Sequence, residues 1–267
     1  MTHELDVRAD APGIVLYVDF DCPWSYLAFR RASVLEANGL PVEWRAVEHD
    51  PQIPGGHRDP SFRFAALHEE MDRVLATLVP GERLPYDLAG FVPRTDVAVS
   101  AYAESHVAQV PTRVRRVLFE SYWMHGLDIG DARALRTLLV DELRGSSSPS
   151  EPIRDWGYPV DLGRGPISTA AWRIIRRWAA DWRATGKQVV PVVTVPDAAP
   201  LHGVDAVEWL GRQLLSRGLD PELPNRTRPE RPDVRELPDL GWVAAHGGRW
   251  LARWQQAAAA ASPAAVR

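Results

Sequence analysis

The only cysteine of this 267-residue chain, Cys22, lies in the stretch DFDCPWSYLAF, between an apolar run and a helical pattern. Pro23 follows it, and Ser25 stands three residues on. With Cys22 as N-cap and Pro23 as the first helical residue, the missing proline N–H costs no hydrogen bond. The first-turn N–H groups and the positive end of the helix dipole both favour a thiolate. The spacing therefore predicts a cysteine with a lowered pKa, to which the Ser25 hydroxyl can donate.

The elements that must position this cysteine form a predicted β-α-β unit. Ile14–Phe20 is a short β-branched run that is typical of a buried strand, and Pro41–Val47 alternates like a second strand. Between them a helix is expected from Pro23 to Gly39. A crossover helix between neighbouring strands predicts a parallel pair.

Helical spacing then dominates until another strand segment appears. Gln188–Val195 is a strand run interrupted by Pro191, which indicates an edge strand, a bulge or a cis peptide bond. This segment cannot make a sheet alone, so we expect it to rejoin the first strands, with a terminal helix after it. The helices predicted between the two strand regions cover residues 61–79, 96–107, 112–125, 131–143 and 167–185.

Composition excludes several function classes. A formal net charge of −4 argues against nucleic-acid or membrane-surface binding. One cysteine allows no internal disulfide, the polar N-terminus lacks a signal-peptide pattern, and no apolar run is long enough for a membrane span. We therefore expect a cytoplasmic protein.

The scattered histidines, His49 among them, show no acidic partner set, so no metal site is predicted. The arginines at 113–116 are predicted to form a solvated helix face.

Three stretches, in this order, resemble the DsbA-like branch of the thioredoxin superfamily. DFDCPWSYLA resembles its active-site corner, LFESYWMHGLDIGDARAL its helical-insert signature, and VVPVVTV followed by LHGVDAVEWL its cis-proline strand and last helix. The nearest resemblance is to FrnE-like oxidoreductases, 2-hydroxychromene-2-carboxylate isomerases and kappa-class glutathione transferases. It implies an α/β thioredoxin fold interrupted by an all-helical insert domain. Beyond it, prolines and charges followed by helical spacing predict a C-terminal helical extension. The predicted domains are 12–60 plus 186–219 (thioredoxin-like), 61–185 (insert) and 220–267 (proline-rich linker and C-terminal helix and tail).

The resemblance also implies roles for individual residues. Cys22 matches the nucleophile, and Ser25 stands where redox members keep a second cysteine. The backbone of Val190, beside a cis Pro191, would pair with an extended thiol such as glutathione. Asp205 matches an acidic residue that contacts the glutathione amino group in the isomerase and kappa branch. The expected catalytic residues are Cys22 and Ser25, and the expected substrate-binding residues are Pro23, Trp24, Val190, Pro191 and Asp205.

Departures from the family pattern leave three hypotheses. Redox members keep C-x-x-C and isomerase members place serine first, whereas this chain has C-x-x-S. A mixed disulfide on Cys22 must be resolved by an outside thiol, because no second cysteine exists. We therefore expect a single-cysteine thiol–disulfide oxidoreductase without a tightly bound cofactor, which uses glutathione or another small thiol as co-substrate. The alternatives are a glutathione-dependent isomerase or transferase and a non-catalytic binding module.

The expected partners are a small thiol together with a small-molecule or protein-thiol substrate. A homodimer is an open expectation, because dimers are common in the isomerase branch.

Overall fold

The computed structural model describes residues 13–49 and 60–222, and the side chains of all of these except 60–65. The predicted linker and helix of 220–267 lie, from residue 223 onward, outside the described residues. Among the described helices, none is both long enough and apolar enough to cross a bilayer.

Four strands form one mixed sheet in the order β2-β1-β3-β4. β1 (Ile14–Val18) runs parallel to β2 (Val42–Ala46), as predicted, and antiparallel to β3 (Val192–Thr194). β4 (Leu201–His202) pairs antiparallel with β3. The later strand segment therefore rejoins the first, as expected. Four of the five β1 residues are buried, so both faces of this strand are covered, and its sequence IVLYV is apolar throughout rather than alternating.

Helices surround this sheet, and most of them lie between β2 and β3 in the chain. The predicted helices are present within a few residues of their expected ends, and α6 is a short helix within a segment that has linker composition. The described helices are α1 (Pro23–Ala37), α2 (Pro60–Leu75), α3 (Asp96–Val107), α4 (Pro111–His125), α5 (Ala132–Leu143), α6 (Glu151–Arg154), α7 (Thr169–Ala184) and α8 (Val204–Ser216).

An aromatic cluster packs α1 against α4. The rings of Tyr26 and Trp123 stack with centroids 5.2 Å apart, and those of Phe29 and Phe119 stack at 4.5 Å. The Trp123 indole N–H donates to the carbonyl of Phe20, just after β1, at 2.9 Å. Large buried aromatic rings dominate core energetics, so this cluster fixes the start of α1 relative to the helices of the insert.

Arg115 corrects the prediction of a solvated arginine face on α4. It is only 3% exposed, and its guanidinium lies 3.8 Å from the centroid of the Trp44 ring. Its NH2 group also pairs with the Glu36 carboxylate at 2.6 Å. A guanidinium can be buried when an aromatic face and a carboxylate compensate its lost hydration, and periodicity alone does not show those partners.

His106 on α3 is held between two aromatic rings and supports a pH prediction. Its ring centroid lies 4.8 Å from that of Tyr102 and 5.1 Å from that of Trp178. Burial, aided by the charge of Arg115, lowers the pKa of His106 from 6.5 to about 4. Below pH 6.5 the unfolded chain therefore binds a proton at His106, whereas the folded protein binds this proton only when the pH falls to about 4.

Replacing His106 by phenylalanine is expected to remove this acid sensitivity. As pH falls from 6.5 to 4, the wild type should lose stability relative to His106→Phe by about 1.4 kcal/mol per unit, reaching about 3 kcal/mol. Urea unfolding of both proteins at pH 7, 6, 5 and 4 measures this difference. Curves that stay parallel over this range would contradict the assignment.

Candidate active site

Cys22 occupies the turn between β1 and α1, as predicted. It is the N-cap of α1, with extended backbone angles, and Pro23 is the first helical residue. Its carbonyl accepts the Tyr26 N–H at 3.0 Å, and its own N–H donates to the Asp19 carbonyl at 3.4 Å. The sulfur is therefore held at the start of a 15-residue helix by backbone contacts on both sides.

The Cys22 sulfur also meets the strand segment that returns to the sheet. Its S–H donates to the Val190 carbonyl, with sulfur and oxygen 3.5 Å apart. The Val190–Pro191 peptide bond is cis, as the resemblance implies. The Pro191 carbonyl accepts the Gly203 N–H at 2.9 Å, which brings the start of α8 to the same place. The fold thus brings Val190 and Pro191 next to Cys22, although they lie at least 168 residues further along the chain.

The prediction of a lowered pKa for Cys22 is wrong in this conformation. The residue is only 6% exposed, and burial raises the thiol pKa well above its ordinary value. The negative charges of Glu70 and Asp21 raise it further, whereas the N–H and hydroxyl of Ser25 lower it. The thiol accepts no capping hydrogen bond in this geometry. Desolvation outweighs the helix start, and desolvation depends on tertiary packing that the local sequence does not reveal.

Ser25 lies against the sulfur as predicted, but it is fully buried and has a second task. Its hydroxyl oxygen accepts the backbone N–H of Asp19 at 3.2 Å. Ser25 therefore ties the first turn of α1 to the end of β1 while it also interacts with the thiol.

The other predicted binding residues have different degrees of exposure. Pro23, Val190 and Pro191 are buried, and Trp24 is half-buried against the core. Trp24 lowers the pKa of the Glu70 carboxyl group. Asp205 is exposed in the first turn of α8, two residues after Gly203.

Asp19 and His49 form a pair that the sequence interpretation missed. Asp19 Oδ2 lies 2.7 Å from His49 Nδ1 and accepts the His49 backbone N–H at 2.9 Å. The prediction that His49 lacks an acidic partner is therefore wrong. A signal was available, because the two residues follow neighbouring parallel strands, whose carboxyl ends meet at one edge of the sheet.

Glu70 on α2 is the second missed group. Its charge acts on the Cys22 thiol, and burial raises its own pKa. Arg73, His49 and Trp24 act in the opposite direction and lower the pKa of Glu70. In the sequence it is one of two adjacent glutamates, 69 and 70, and nothing local distinguishes them.

Asp19, Asp21 and His49 also place potential ligand atoms within 4.8 Å of one another. Both oxygens of Asp19 already accept protein hydrogen bonds, since Oδ1 binds the Phe20 N–H at 2.8 Å and Oδ2 binds His49. We therefore interpret these residues as a hydrogen-bonded group and assign no metal to them.

Part of the chain matches a known protein family. Residues 13–142 match the family model described as a DSBA-like thioredoxin domain. Over these residues the chain is therefore similar to DsbA-like thioredoxin domains. No curated protein matches the chain.

Two solved structures show that the similarity in fold extends beyond the matched residues. A 2-hydroxychromene-2-carboxylate isomerase superposes with a TM-score of 0.53 at 18% identity, covering 76% of this chain and 94% of that one. A probable DsbA oxidoreductase from Streptomyces coelicolor gives a TM-score of 0.53 at 16% identity, covering 83% and 94%. At these identities the likeness establishes the thioredoxin-type fold with its helical insert.

Proposed function

We propose that this DsbA-like protein is a thiol–disulfide oxidoreductase with a single-cysteine C-x-x-S active site. The observation that supports the proposal is the position of the Cys22 sulfur, at the start of α1 and 3.5 Å from the carbonyl of Val190 beside the cis Pro191. This arrangement sets one nucleophilic atom against a backbone segment with which an extended substrate can pair.

The reaction runs through a mixed disulfide with a small thiol. The Cys22 sulfur loses its proton and attacks one sulfur of oxidised glutathione, a bond to that sulfur forms, and the glutathione disulfide bond breaks. The departing glutathione thiolate takes up a proton. A second thiol, from glutathione or a substrate, then attacks the mixed disulfide and releases Cys22. Ser25 stabilises the sulfur but cannot resolve the disulfide, because its oxygen is no redox partner.

Substrate binding has to change the resting contacts of the thiol. Cys22 donates to the Val190 carbonyl and is nearly inaccessible in this conformation. A glutathione moiety that pairs with the Val190 backbone would replace the S–H···O contact. Asp205, exposed near the start of α8, can bind the glutathione amino group. Trp24, which is half-buried, can contact the rest of the glutathione molecule. The proposal requires no tightly bound cofactor and places the protein in the reducing cytoplasm.

A glutathione-dependent isomerase is the second candidate function. It is favoured by the raised pKa of Cys22, since a thiol that stays protonated can donate a hydrogen bond to the thiolate of a bound glutathione. In that reaction glutathione is the nucleophile and Cys22 is a donor only.

Incubation of the native chain with oxidised glutathione tests the oxidoreductase proposal. We expect intact-protein mass spectrometry to show one glutathionyl group on Cys22, removed again by reduced glutathione. The adduct should accumulate, because the protein has no second cysteine to release it. Absence of the adduct after prolonged incubation at pH 8 would contradict the oxidoreductase and leave the isomerase as the better candidate.

A further inference from the structure

Four arginines lie on one side of α7 and form a surface that we call the arginine face. Positions along a helix advance by about 100° per residue, so Arg173, Arg176, Arg177 and Arg183 fall within about 120° of one another. All four are exposed, whereas Trp178, on the opposite side of the helix, is buried in the core. The formal net charge of the chain is −4, so this face concentrates positive charge on an acidic protein.

Only part of this positive charge is balanced by carboxylates. Asp181 lies 3.6 Å from Arg177, but the same carboxylate is also bound at 2.6 Å by Arg45 of β2. Within the described part of the chain, no ion pair joins the other three arginines to an acidic side chain. Their guanidinium groups are therefore available to an anionic partner.

The C-terminal end of α7 leads directly to the thiol. The Trp182 indole N–H, in the last turn of the helix, donates to the Val189 carbonyl at 3.3 Å. The next residue, Val190, accepts the S–H of Cys22 at 3.5 Å. The last arginine of the face follows Trp182 in the chain, and the first lies about 15 Å further from this end along the helix axis. The arginine face therefore extends away from the backbone segment that contacts the sulfur.

Trp172 adds an apolar side chain to the edge of the same face. It is 46% exposed and stands one helical turn before Arg176. Tryptophan and arginine are among the residue types that contribute most to binding at protein interfaces. This combination fits a peptide or protein partner better than a small ion.

The chemistry of the site distinguishes between possible anionic partners. Nucleic acids and lipid headgroups carry no disulfide for Cys22 to exchange, and the negative net charge of the chain disfavours both. Glutathione is anionic, but an extended tripeptide spans only about 10 Å and cannot cover the whole face. A longer peptide that carries several acidic side chains and a cysteine matches both the charge and the thiol chemistry.

We propose that the arginine face of α7 binds acidic side chains of a peptide or protein whose disulfide is exchanged at Cys22. The inference rests on the proposed oxidoreductase function and names its substrate class. A chain that pairs with the Val190 backbone can continue toward α7 and place its carboxylates against the guanidinium groups. In the exchange step the Cys22 sulfur forms a bond to one sulfur of the substrate disulfide, the disulfide bond breaks, and the proton lost by Cys22 passes to the departing thiolate.

Binding of a synthetic peptide to the full chain tests the inference without any disulfide chemistry. The probe is a fluorescein-labelled peptide in which a serine, in place of cysteine, is flanked by glutamates, and its binding is followed by fluorescence anisotropy. Arg173→Glu combined with Arg176→Glu should weaken binding by about tenfold, because two attractions become repulsions. Arg133→Glu combined with Arg144→Glu makes the same charge change at exposed positions at the two ends of α5 and should bind like the wild type.

Two further measurements connect this binding to the reaction. Wild-type affinity for the glutamate peptide should fall as salt is added, and a lysine-flanked peptide should not bind. When the cysteine form of the glutamate peptide is supplied as its mixed disulfide with glutathione, the α7 double variant should have a raised KM and an unchanged kcat. This separation is expected because the arginines contact the substrate away from the reacting sulfur.

Equal affinity of the two double variants for the glutamate peptide would overturn the inference. Tighter binding of a single-stranded oligonucleotide or of phosphatidylserine vesicles than of the peptide would also overturn it, since the arginines would then bind phosphate groups. Failure of the glutathione adduct to form, with peptide binding intact, would count against the proposed function and not against this binding surface.

Discussion

Cys22→Ser is expected to abolish exchange with oxidised glutathione while the protein keeps its fold. Serine is only slightly smaller than cysteine. Its hydroxyl can donate to the Val190 carbonyl, as the thiol does at 3.5 Å. An alcohol forms no mixed disulfide, so the loss of exchange should exceed 1,000-fold, which is the scale for removal of a nucleophile. The measurement is glutathione release from a mixed-disulfide peptide, followed by chromatography.

Cys22→Ala is the matched control for this prediction. In the oxidoreductase both variants lose all activity, because both lack the attacking sulfur. In the isomerase the serine variant should keep activity and the alanine variant should lose much of it, because alanine has no hydrogen-bond donor. Retained exchange in Cys22→Ser would contradict any reaction through this sulfur.

The position of the thiol could be predicted because its signals are local. Proline after an N-cap, a β-branched run before it and a proline inside a later strand run each constrain the backbone within a few residues. The meeting of Cys22 with Val190 and Pro191 then follows once the later strand pairs with β1. The family resemblance added the order of the segments to these signals.

The chemistry of the thiol could not be predicted in the same way. The sign of the Cys22 pKa shift depends on how much water remains around the sulfur and on which carboxylate comes near it. Glu69 is exposed, whereas the neighbouring Glu70 acts on Cys22. Which of the two glutamates faces the thiol depends on the rotation of α2 about its axis, and the sequence does not specify that rotation. Residues 50–59, before α2, lie outside the described part of the chain.

The same limit applies to arginine. Arg30 and Arg31 are neighbours in α1, yet Arg31 is completely buried while Arg30 is partly exposed. A helical pattern assigns charged residues to solvent, because burial of an unpaired charge is costly. Burial of Arg31 is tolerated only because its partner Glu82 arrives from a segment 51 residues away.

Glu82→Gln should cause the largest loss of stability among single replacements of charged groups in this core. Arg31 donates to both carboxylate oxygens of Glu82, from Nε at 2.9 Å and from NH2 at 2.6 Å, and both side chains are almost completely buried. Glutamine keeps the shape but leaves the guanidinium without a countercharge. Removal of one partner of a buried pair typically costs about 3–5 kcal/mol.

The Arg31–Glu82 pair also supports a connection between α1 and α8, which gives the prediction a second readout. Arg31 lies in α1, which begins at Cys22, and its NH1 donates to the Val207 carbonyl in α8 at 2.6 Å. Glu82 in turn accepts the Val79 N–H at 2.9 Å. When the pair is broken, α1 loses a polar connection to α8, whose N-cap Gly203 donates its N–H to the Pro191 carbonyl. We therefore expect Glu82→Gln to alkylate faster at Cys22 at temperatures below its melting transition, because local opening exposes the sulfur.

Glu208→Gln is the control for Glu82→Gln, since it removes the same charge from an exposed pair. Glu208 and Arg212 lie 3.6 Å apart on α8 with side chains 50% and 61% exposed, and such a pair contributes at most about 0.5 kcal/mol. Urea unfolding of both variants at pH 7 compares the two losses directly. The double variant Arg31→Met, Glu82→Leu should recover part of the stability lost in Glu82→Gln, because it leaves no buried charge uncompensated. Equal losses in Glu82→Gln and Glu208→Gln would show that the Arg31 charge is solvated, and the link it makes between α1 and α8 would then be dispensable.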